Sequence, residues 1–594
     1  MGGLVGIVGE GSFLELTRMA ERMSYRGRLR SWSPAAGVLL GELSSHASME
    51  RRNSDSFAID TAGDGTSRLN IETALTTRGV SAAADLRGFF SIAWWDSRSR
   101  SLRFICDRHG YKTLYIARLP GRIVFATDCK ALLALAEFPA TVDRDVLQVY
   151  LRSRSFPSER SLLAAAQPIG GANVWTLTFD GALHSEPYWT PEQRGVGKTR
   201  TFEAAASELR EILKSVVTRR LDGRDHMALA LSGGLDSASV LAVAKHVRPD
   251  IHVTTYTVGH SPQDPEILRA REAAEHFHTE HRECFLPPEK LPGELRKLVW
   301  LTEDLTGREE AALQQVLAAE MATRERSYFV GHGADVAFAG MPRHRLMWLR
   351  DHAPSAVRGA LDELFVYTQR RNEPSSWLGR ALASLAFRGD RPAMPTVIGA
   401  AEMPADMSYQ SLEHYRCATV SWIEGMRFHE PEETAGDVAM VVPFFDPAVV
   451  DFALSCPSSY LIDARNQKRI LRAAVAPLLP PQISQRPKMI QRMKHDQSLS
   501  DVLDDFAGQL RLKESLMSRG LIPAEYIAKL QKRSRSAAYS SERLHILWAL
   551  ICAELWLRQF VDQRGVLDAT RASIARTPII VPASVSANHP APIP

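Results

Sequence analysis

Short apolar runs broken by turn residues fill the first 190 residues, and 3.6-period stripes take over after residue 200. Leu4 to Val8 is apolar, and Phe89–Trp95 and Leu102–Cys106 flank Asp96-Ser97-Arg98-Ser99-Arg100, a hairpin turn. Leu114–Ala117 and Ile123–Ala126 flank Leu119-Pro120-Gly121, and Asn173–Phe179 ends at Asp180-Gly181. This pattern predicts stacked antiparallel sheets over residues 1–190. Residues 191–201 hold Pro191, Gly195 and Gly197 without periodicity and read as a linker. From Phe202 the pattern is helical: Leu209, Ile212, Leu213, Val216 and Val217 make one stripe, with Thr201 placed to cap it.

A strand ending at Leu231 then meets Ser232-Gly233-Gly234-Leu235-Asp236-Ser237, and a helix-compatible run follows from Ala238 to Lys245. Ile251–Val258 is the next strand and Leu268–Phe277 the next helix, which predicts a parallel sheet with helices on both faces. A further strand, Tyr328–Val330, runs into a second glycine loop, Gly331 to Gly340. Residues 341–430 are helix-like and aromatic-rich, and the run His545–Leu557, which contains Glu554, reads as a core helix too short to span a bilayer. The domain expectation is 1–190, a linker at 191–201, 202–570, and a disordered tail at 571–594.

Composition narrows the field. A chain of 594 residues is too long for one core, and 45% apolar with 24% charged residues is ordinary for a globular protein. A net charge of +4 is small for this length and argues, with the lack of a recognisable motif, against nucleic acid as a partner. The six cysteines form no CxxC pair, so neither a zinc site nor a disulfide framework is indicated. With no signal-peptide pattern at the start, the expectation is a cytoplasmic protein without a membrane span.

The Ser232 loop carries the clearest chemistry. A glycine loop between a strand and a helix points backbone N–H groups at an anion, and the helix dipole favours negative charge there. Asp236 beside such a site suits a divalent cation shared with phosphate. The loop is therefore expected to hold the pyrophosphate end of ATP. His276, His278 and His281 lack the spacing of a metal site and read as structural. Arg465, Lys468, Arg469, Arg472, Arg486, Lys488, Arg492 and Lys494 form a basic run with no carboxylate until Asp496, which on its own reads as a solvated face.

Five stretches in order carry a resemblance: Gly6-Ile7-Val8-Gly9, Tyr25-Arg26-Gly27, Leu86 to Asp96, Asp107 to Tyr115 and Phe125-Ala126-Thr127-Asp128. They resemble the N-terminal glutaminase domain of the asparagine synthetase family. That implies an α+β Ntn-hydrolase-like sandwich. In that family an N-terminal cysteine precedes the Gly-Ile-x-Gly element; here Val5 stands there, and the first cysteine is Cys106. A valine supplies no nucleophile, so the resemblance implies a degenerate, catalytically silent glutaminase.

The Ser-Gly-Gly-x-Asp-Ser loop resembles the pyrophosphatase-type loop of the same family and implies an α/β HUP-type synthetase domain rich in helices. By that resemblance Ser232, Gly233, Gly234 and Ser237 grip phosphate, and Leu231, Val258 and Gly331 line the nucleotide site. Asp335 matches the second aspartate of the family and is expected to share Mg²⁺ with Asp236. His332 stands where asparagine synthetases have Glu and β-lactam synthetases Tyr, and a histidine can accept an amine proton near neutral pH. Lys488 falls at the family's Arg-x-Lys and is expected to stabilise developing negative charge. Ala439 and Val441 replace the family's Glu and Arg, which argues against a small zwitterion such as aspartate as substrate.

Taken together the sequence most resembles the lasso-peptide macrolactam synthetases, with β-lactam synthetases as cousins. The resemblance implies ATP and Mg²⁺ as cofactors and a precursor peptide as substrate. It also implies a leader peptidase and a leader-recognition protein as partners. Two other readings stay open: an amide synthetase using free ammonia on a small substrate, and a non-catalytic scaffold.

Overall fold

The structure, a computed structural model, describes residues 2–44, 54–62, 65–153, 160–178, 180–191, 200–303, 305, 310–368, 377–386, 411–421, 436–486, 497–521 and 537–564. Lys488, residues 192–199 of the expected linker and the expected tail 571–594 lie outside these.

Two antiparallel sheets open the chain. The first runs β2 (Arg28–Ala35), β3 (Val38–Ser44), β1 (Gly2–Gly9), β8 (Arg122–Ala126), β7 (Tyr115–Leu119), β9 (Gln167–Pro168). The second runs β11 (Leu183–Pro187), β10 (Asn173–Leu177), β6 (Ser101–Cys106), β5 (Phe89–Asp96), β4 (Phe57–Ala62). Alternation along each strand sorts side chains between layers. Leu4, Leu40 and Phe125 meet Ala93, Leu102 and Phe104 between the sheets. On the outside of the first sheet, Val5 and Ile7 pack with Leu16 and Met19 of α1 (Phe13–Glu21), a helix opened by a Ser12/Glu15 capping box. On the outside of the second, Phe57 and Ile92 pack with Ile71 and Leu75 of α2 (Arg68–Arg78). The result is a helix–sheet–sheet–helix sandwich, as the resemblance implied.

The third sheet is parallel: β14 (Glu280–Phe285), β13 (His252–Gly259), β12 (His226–Ala230), β15 (Ser327–Phe329), β16 (Ala439–Val441). Two short helices precede it, α3 (Cys129–Leu132) and α4 (Arg144–Ser153). Met227, Leu229 and Leu231 face α5 (Phe202–Leu221), α6 (Leu235–Val247) and α7 (Pro265–His276). Thr201 caps α5, whose Leu209, Leu213, Val216 and Val217 are buried while Ile212 is only partly so. Ala228, Tyr256 and Val258 face α8 (Leu291–Thr302) and α9 (Glu310–Ala322) on the other side.

That second layer does not stop at the sheet. Val5, Leu132, Leu147 and Phe138 belong to the same apolar cluster as Leu298, Trp300 and Trp556. A buried ionic chain crosses the same junction. Arg26 donates to both oxygens of Asp128 and to the carbonyl of Gly2, at 2.7–3.2 Å. Lys130 bonds Asp128 at 3.0 Å and Glu303 at 3.2 Å, with its ammonium over the rings of Tyr25 and Trp300. Glu303 accepts the amides of Cys129 and Lys130 at 2.6 and 2.7 Å, and its carbonyl accepts from Trp556 Nε1. Burial raises the Glu303 carboxyl to about 7, against the pull of Lys130.

Among the described residues one helix, Arg543–Asp562, is long and apolar enough to cross a membrane, but 78% of its apolar window is buried inside the protein. Trp548 and Glu554 are both sealed in the core there. None of the six cysteines forms a disulfide.

Candidate active site

The central strand of the third sheet is β12, and the chain winds outward from it in opposite directions, to β13–β14 on one side and β15–β16 on the other. The crevice beyond the carboxyl ends of β12 and β15 is the switch point, where open α/β sheets take their ligands. Both glycine loops leave from there. After β12, Ser232 Oγ and Ser237 Oγ stand 3.1 Å apart, and Ser237 Oγ also accepts the Ser232 amide at 3.1 Å. Gly234 caps α6, so the first-turn amides of that helix have no capping side chain over them.

After β15, Gly331 lies against this turn. A Cβ there would come within 2.5 Å of the Ser237 nitrogen and 2.7 Å of the Asp236 carbonyl carbon, so no larger residue fits without moving the helix start. Leu231 directly follows β12 and Val258 lies near the end of β13, and both are buried. His332 follows Gly331 and is half-buried on the loop into the short helix α10 (Ala334–Ala337).

Asp236, in the first turn of α6, and Asp335, in α10, converge on one cation. Lys468 Nζ lies 2.7 and 2.6 Å from the Asp236 oxygens and 2.6 Å from Asp335 Oδ1. The lysine holds a left-handed backbone (φ +56°) as the cap of the helix Arg469–Val475, and that turn aims it back at the crevice. Burial works against its charge, but Asp236 first and Asp335 second outweigh it, and its pKa is raised above the ordinary lysine value. Two carboxylates already gathered around a positive centre are the donor set a hard divalent cation takes when phosphates supply the rest. Asp236 and Asp335 thus fit Mg²⁺.

The structure brings Asp236 and Asp335 together at Lys468, which in the sequence is one member of a basic run. Its signal was present: it is the last residue before a helical segment, but nothing in the residue pattern gives the positive φ that turns it inward. Val441 is core, buried with Phe444 and Val449, and Ala439 is half-buried on the edge strand β16. The histidine cluster holds no metal set: His281 bonds Thr255 Oγ1 at 2.9 Å and burial pushes it down to about 4, and the described residues contain no metal-binding group of three or more.

A parallel sheet with a phosphate-type glycine loop at its switch point, behind an amidotransferase-type sandwich, defines a two-part ATP-dependent amide synthetase. Comparison with known proteins agrees. The Asparagine synthase family matches residues 208–558, more than half of the 594-residue chain, and the protein belongs to that family. Members are ATP-dependent amide-forming ligases that release AMP and pyrophosphate. A Glutamine amidotransferase domain matches residues 38–189, a span that begins after β1. Asparagine synthetase [glutamine-hydrolyzing] 1 of Bacillus subtilis (strain 168) is 23% identical over 517 residues, covering 81% of this chain and 79% of that protein. Carboxyethyl-arginine beta-lactam-synthase of Streptomyces clavuligerus is 28% identical over 243 residues, 40% of this chain and 44% of that one. A solved glutamine phosphoribosylpyrophosphate amidotransferase from B. subtilis gives a TM-score of 0.20 at 11% identity, over 47% of this chain and 65% of that one, too slight a likeness to bear on the fold.

Proposed function

We propose that this protein closes a macrolactam ring in a ribosomal precursor peptide, as in lasso peptide maturation. ATP activates an Asp or Glu side-chain carboxylate of the peptide as the acyl-adenylate, releasing pyrophosphate. The peptide's own N-terminal amine attacks, AMP leaves, and an isopeptide bond forms. Holding both ends of one chain makes the attack intramolecular, which is where most of the rate advantage lies.

The observation that carries this reading is the state of β1. Val5 is fully buried, paired with Gly41 on one side and Ala126 on the other, in the middle of a strand that begins at Gly2. Its side chain belongs to the helix-side core with Ile7 and Leu16. No nucleophile stands there to release ammonia from glutamine, so the amine comes with the acyl substrate or from solution.

In this reading Ser232, Gly233, Gly234 and Ser237 take the phosphates, and Leu231, Val258 and Gly331 line the nucleotide. Asp236 and Asp335 would hold Mg²⁺, which would offset negative charge on the pyrophosphate. His332 receives the proton of the attacking amine. Lys488 stabilises developing negative charge, a task for which Lys468 is also placed, since its ammonium is already at the two aspartates.

The test incubates the protein with ATP, Mg²⁺, a leader peptidase, a leader-recognition protein and a precursor peptide encoded nearby. A product lighter by one water than the linear core, absent with Asp236→Ala, supports the proposal. Ammonia-dependent conversion of aspartate to asparagine overturns it, and cyclisation of a small amino-acid derivative with no peptide product assigns the chain to the β-lactam-forming side.

A further inference from the structure

Arg486 lies on the far side of the glycine loop from the crevice. Its Nη1 donates to the carbonyl of Gly233 at 2.8 Å and to that of Arg269, on α7, at 3.3 Å. Its Nη2 is paired with Glu272, and its Nε donates to the carbonyl of Gln482 at 3.1 Å. The side chain is only 10% exposed. Arg472, from the helix that Lys468 caps, holds the backbone beneath it by donating to the carbonyls of Ser484 and Arg486. The guanidinium is thus fixed from below and spends a donor on one peptide of the loop.

That peptide joins two glycines. Gly233 has φ +66° and Gly234 has φ −80°, ψ 169°. With no Cβ on either side, the plane between them rotates at little steric cost, and the residues themselves do not fix which way it faces. A trans peptide points its C=O and N–H in opposite directions. Pinning the Gly233 oxygen on Arg486 therefore turns the Gly234 N–H the other way, toward the crevice. There it donates to Ser232 Oγ at 3.4 Å, a long bond to one of the paired Ser232 and Ser237 hydroxyls. Rotating the peptide would take this donor away from a bound anion and present a carbonyl oxygen in its place.

We propose that Arg486 is a positioning residue for the phosphate loop: by holding the Gly233 carbonyl it keeps the Gly234 N–H aimed at the phosphates of the nucleotide. The inference rests on the reading that the Ser232 loop takes the phosphates of ATP. It separates two parts of nucleotide binding. Arg486 acts on the phosphate end only, since Leu231, Val258 and Gly331, the proposed lining of the nucleoside end, make none of its contacts.

Titration calorimetry of the full chain with ATP–Mg²⁺ and, separately, with adenosine tests this. Arg486→Gln is expected to weaken ATP–Mg²⁺ by about tenfold or more, the loss of one well-placed hydrogen bond to a charged group, with adenosine unchanged. Arg486→Lys, which keeps the charge without the fork, is expected to fall between. Glu272→Gln leaves the arginine in place and loosens one holder, and covers the case in which Arg486→Gln does not fold. It is expected to weaken ATP–Mg²⁺ by about threefold with adenosine unmoved. Unchanged ATP affinity in Arg486→Gln, or in Glu272→Gln where that variant stands in, overturns the role, as does an equal loss of adenosine. A wild-type chain that binds adenosine but gains nothing from phosphates fails the reading of the loop itself, and this inference with it.

Discussion

The starts of β1 and of α6 are the two places where a chain of this kind has reactive groups, and the structure treats them in opposite ways. β1 runs unbroken from Gly2 to Gly9 through the centre of its sheet, and Val5 is sealed under α1. β12 stops at Ala230, and the next seven residues supply two hydroxyls, two glycines and a carboxylate at an open strand end. The difference lies in how the backbone ends. A strand paired on both sides buries what it carries, whereas a strand that breaks into a glycine turn and a helix leaves amides unsatisfied and available to a ligand. Reactivity here depends on where regular structure stops.

Five experiments bear on that contrast. Asp236→Ala removes a carboxylate from the open end and leaves Lys468 one partner short; ATP-dependent product is expected to drop at least about a thousandfold, read by mass spectrometry of the peptide. Lys468→Ala leaves the two aspartates facing each other and is expected to lower kcat about a hundredfold in the same assay. If either variant turned over normally, the open end would not be the reacting end.

The other three probe the sealed side. Glu303→Ala strips the carboxylate from buried Lys130 and the two amides of α3, and is expected to cost about 3–5 kcal/mol in urea denaturation without moving ATP affinity of the folded fraction. The wild type also has a pH signature. Because burial raises Glu303 in the folded protein, the fold holds that proton more tightly than the unfolded chain does. Its contribution is full below the ordinary glutamate range and is lost as pH rises through about 7. Glu303→Gln is expected to flatten that slope. The smallest effect is expected from Val5→Cys: about 1 kcal/mol or less of stability, and no glutamine hydrolysis by ammonia assay, because the thiol would be buried mid-strand without a free α-amine beside it. Glutamine turnover by that variant would mean that β1 opens.

Periodicity was enough to read the sandwich, the parallel sheet and the loop after β12, because each depends on alternation or on glycine placement that local sequence records. Asp236 stands out in the sequence by its place just past a glycine turn, whereas Asp335 is paired with it by the family resemblance; the structure brings both to Lys468. Lys468 does not stand out: its role comes from one left-handed residue and from helix packing that brings position 468 to position 236. Arg486 stands in the sequence as one of the basic run and as the first member of an Arg-x-Lys spacing; apart from Glu272 its contacts are to backbone carbonyls, which carry no residue signature. The expectation for Ala439 and Val441 rests on which residues are missing, and the structure adds only that Val441 is buried in the core.

The apolar layer that passes from α1 through α3 to α8 and Trp556 has a consequence for how the molecule can come apart. Each half lends the other a wall. A fragment beginning at residue 202 would present Trp300, Leu301 and Trp556 to water and lose Lys130, the cationic partner of its own buried Glu303. Calorimetry of the intact chain should therefore show both halves melting in a single step, and limited cleavage between β11 and α5 should leave two pieces that stay together. Cutting the covalent thread does little when the fabric on either side is woven as one.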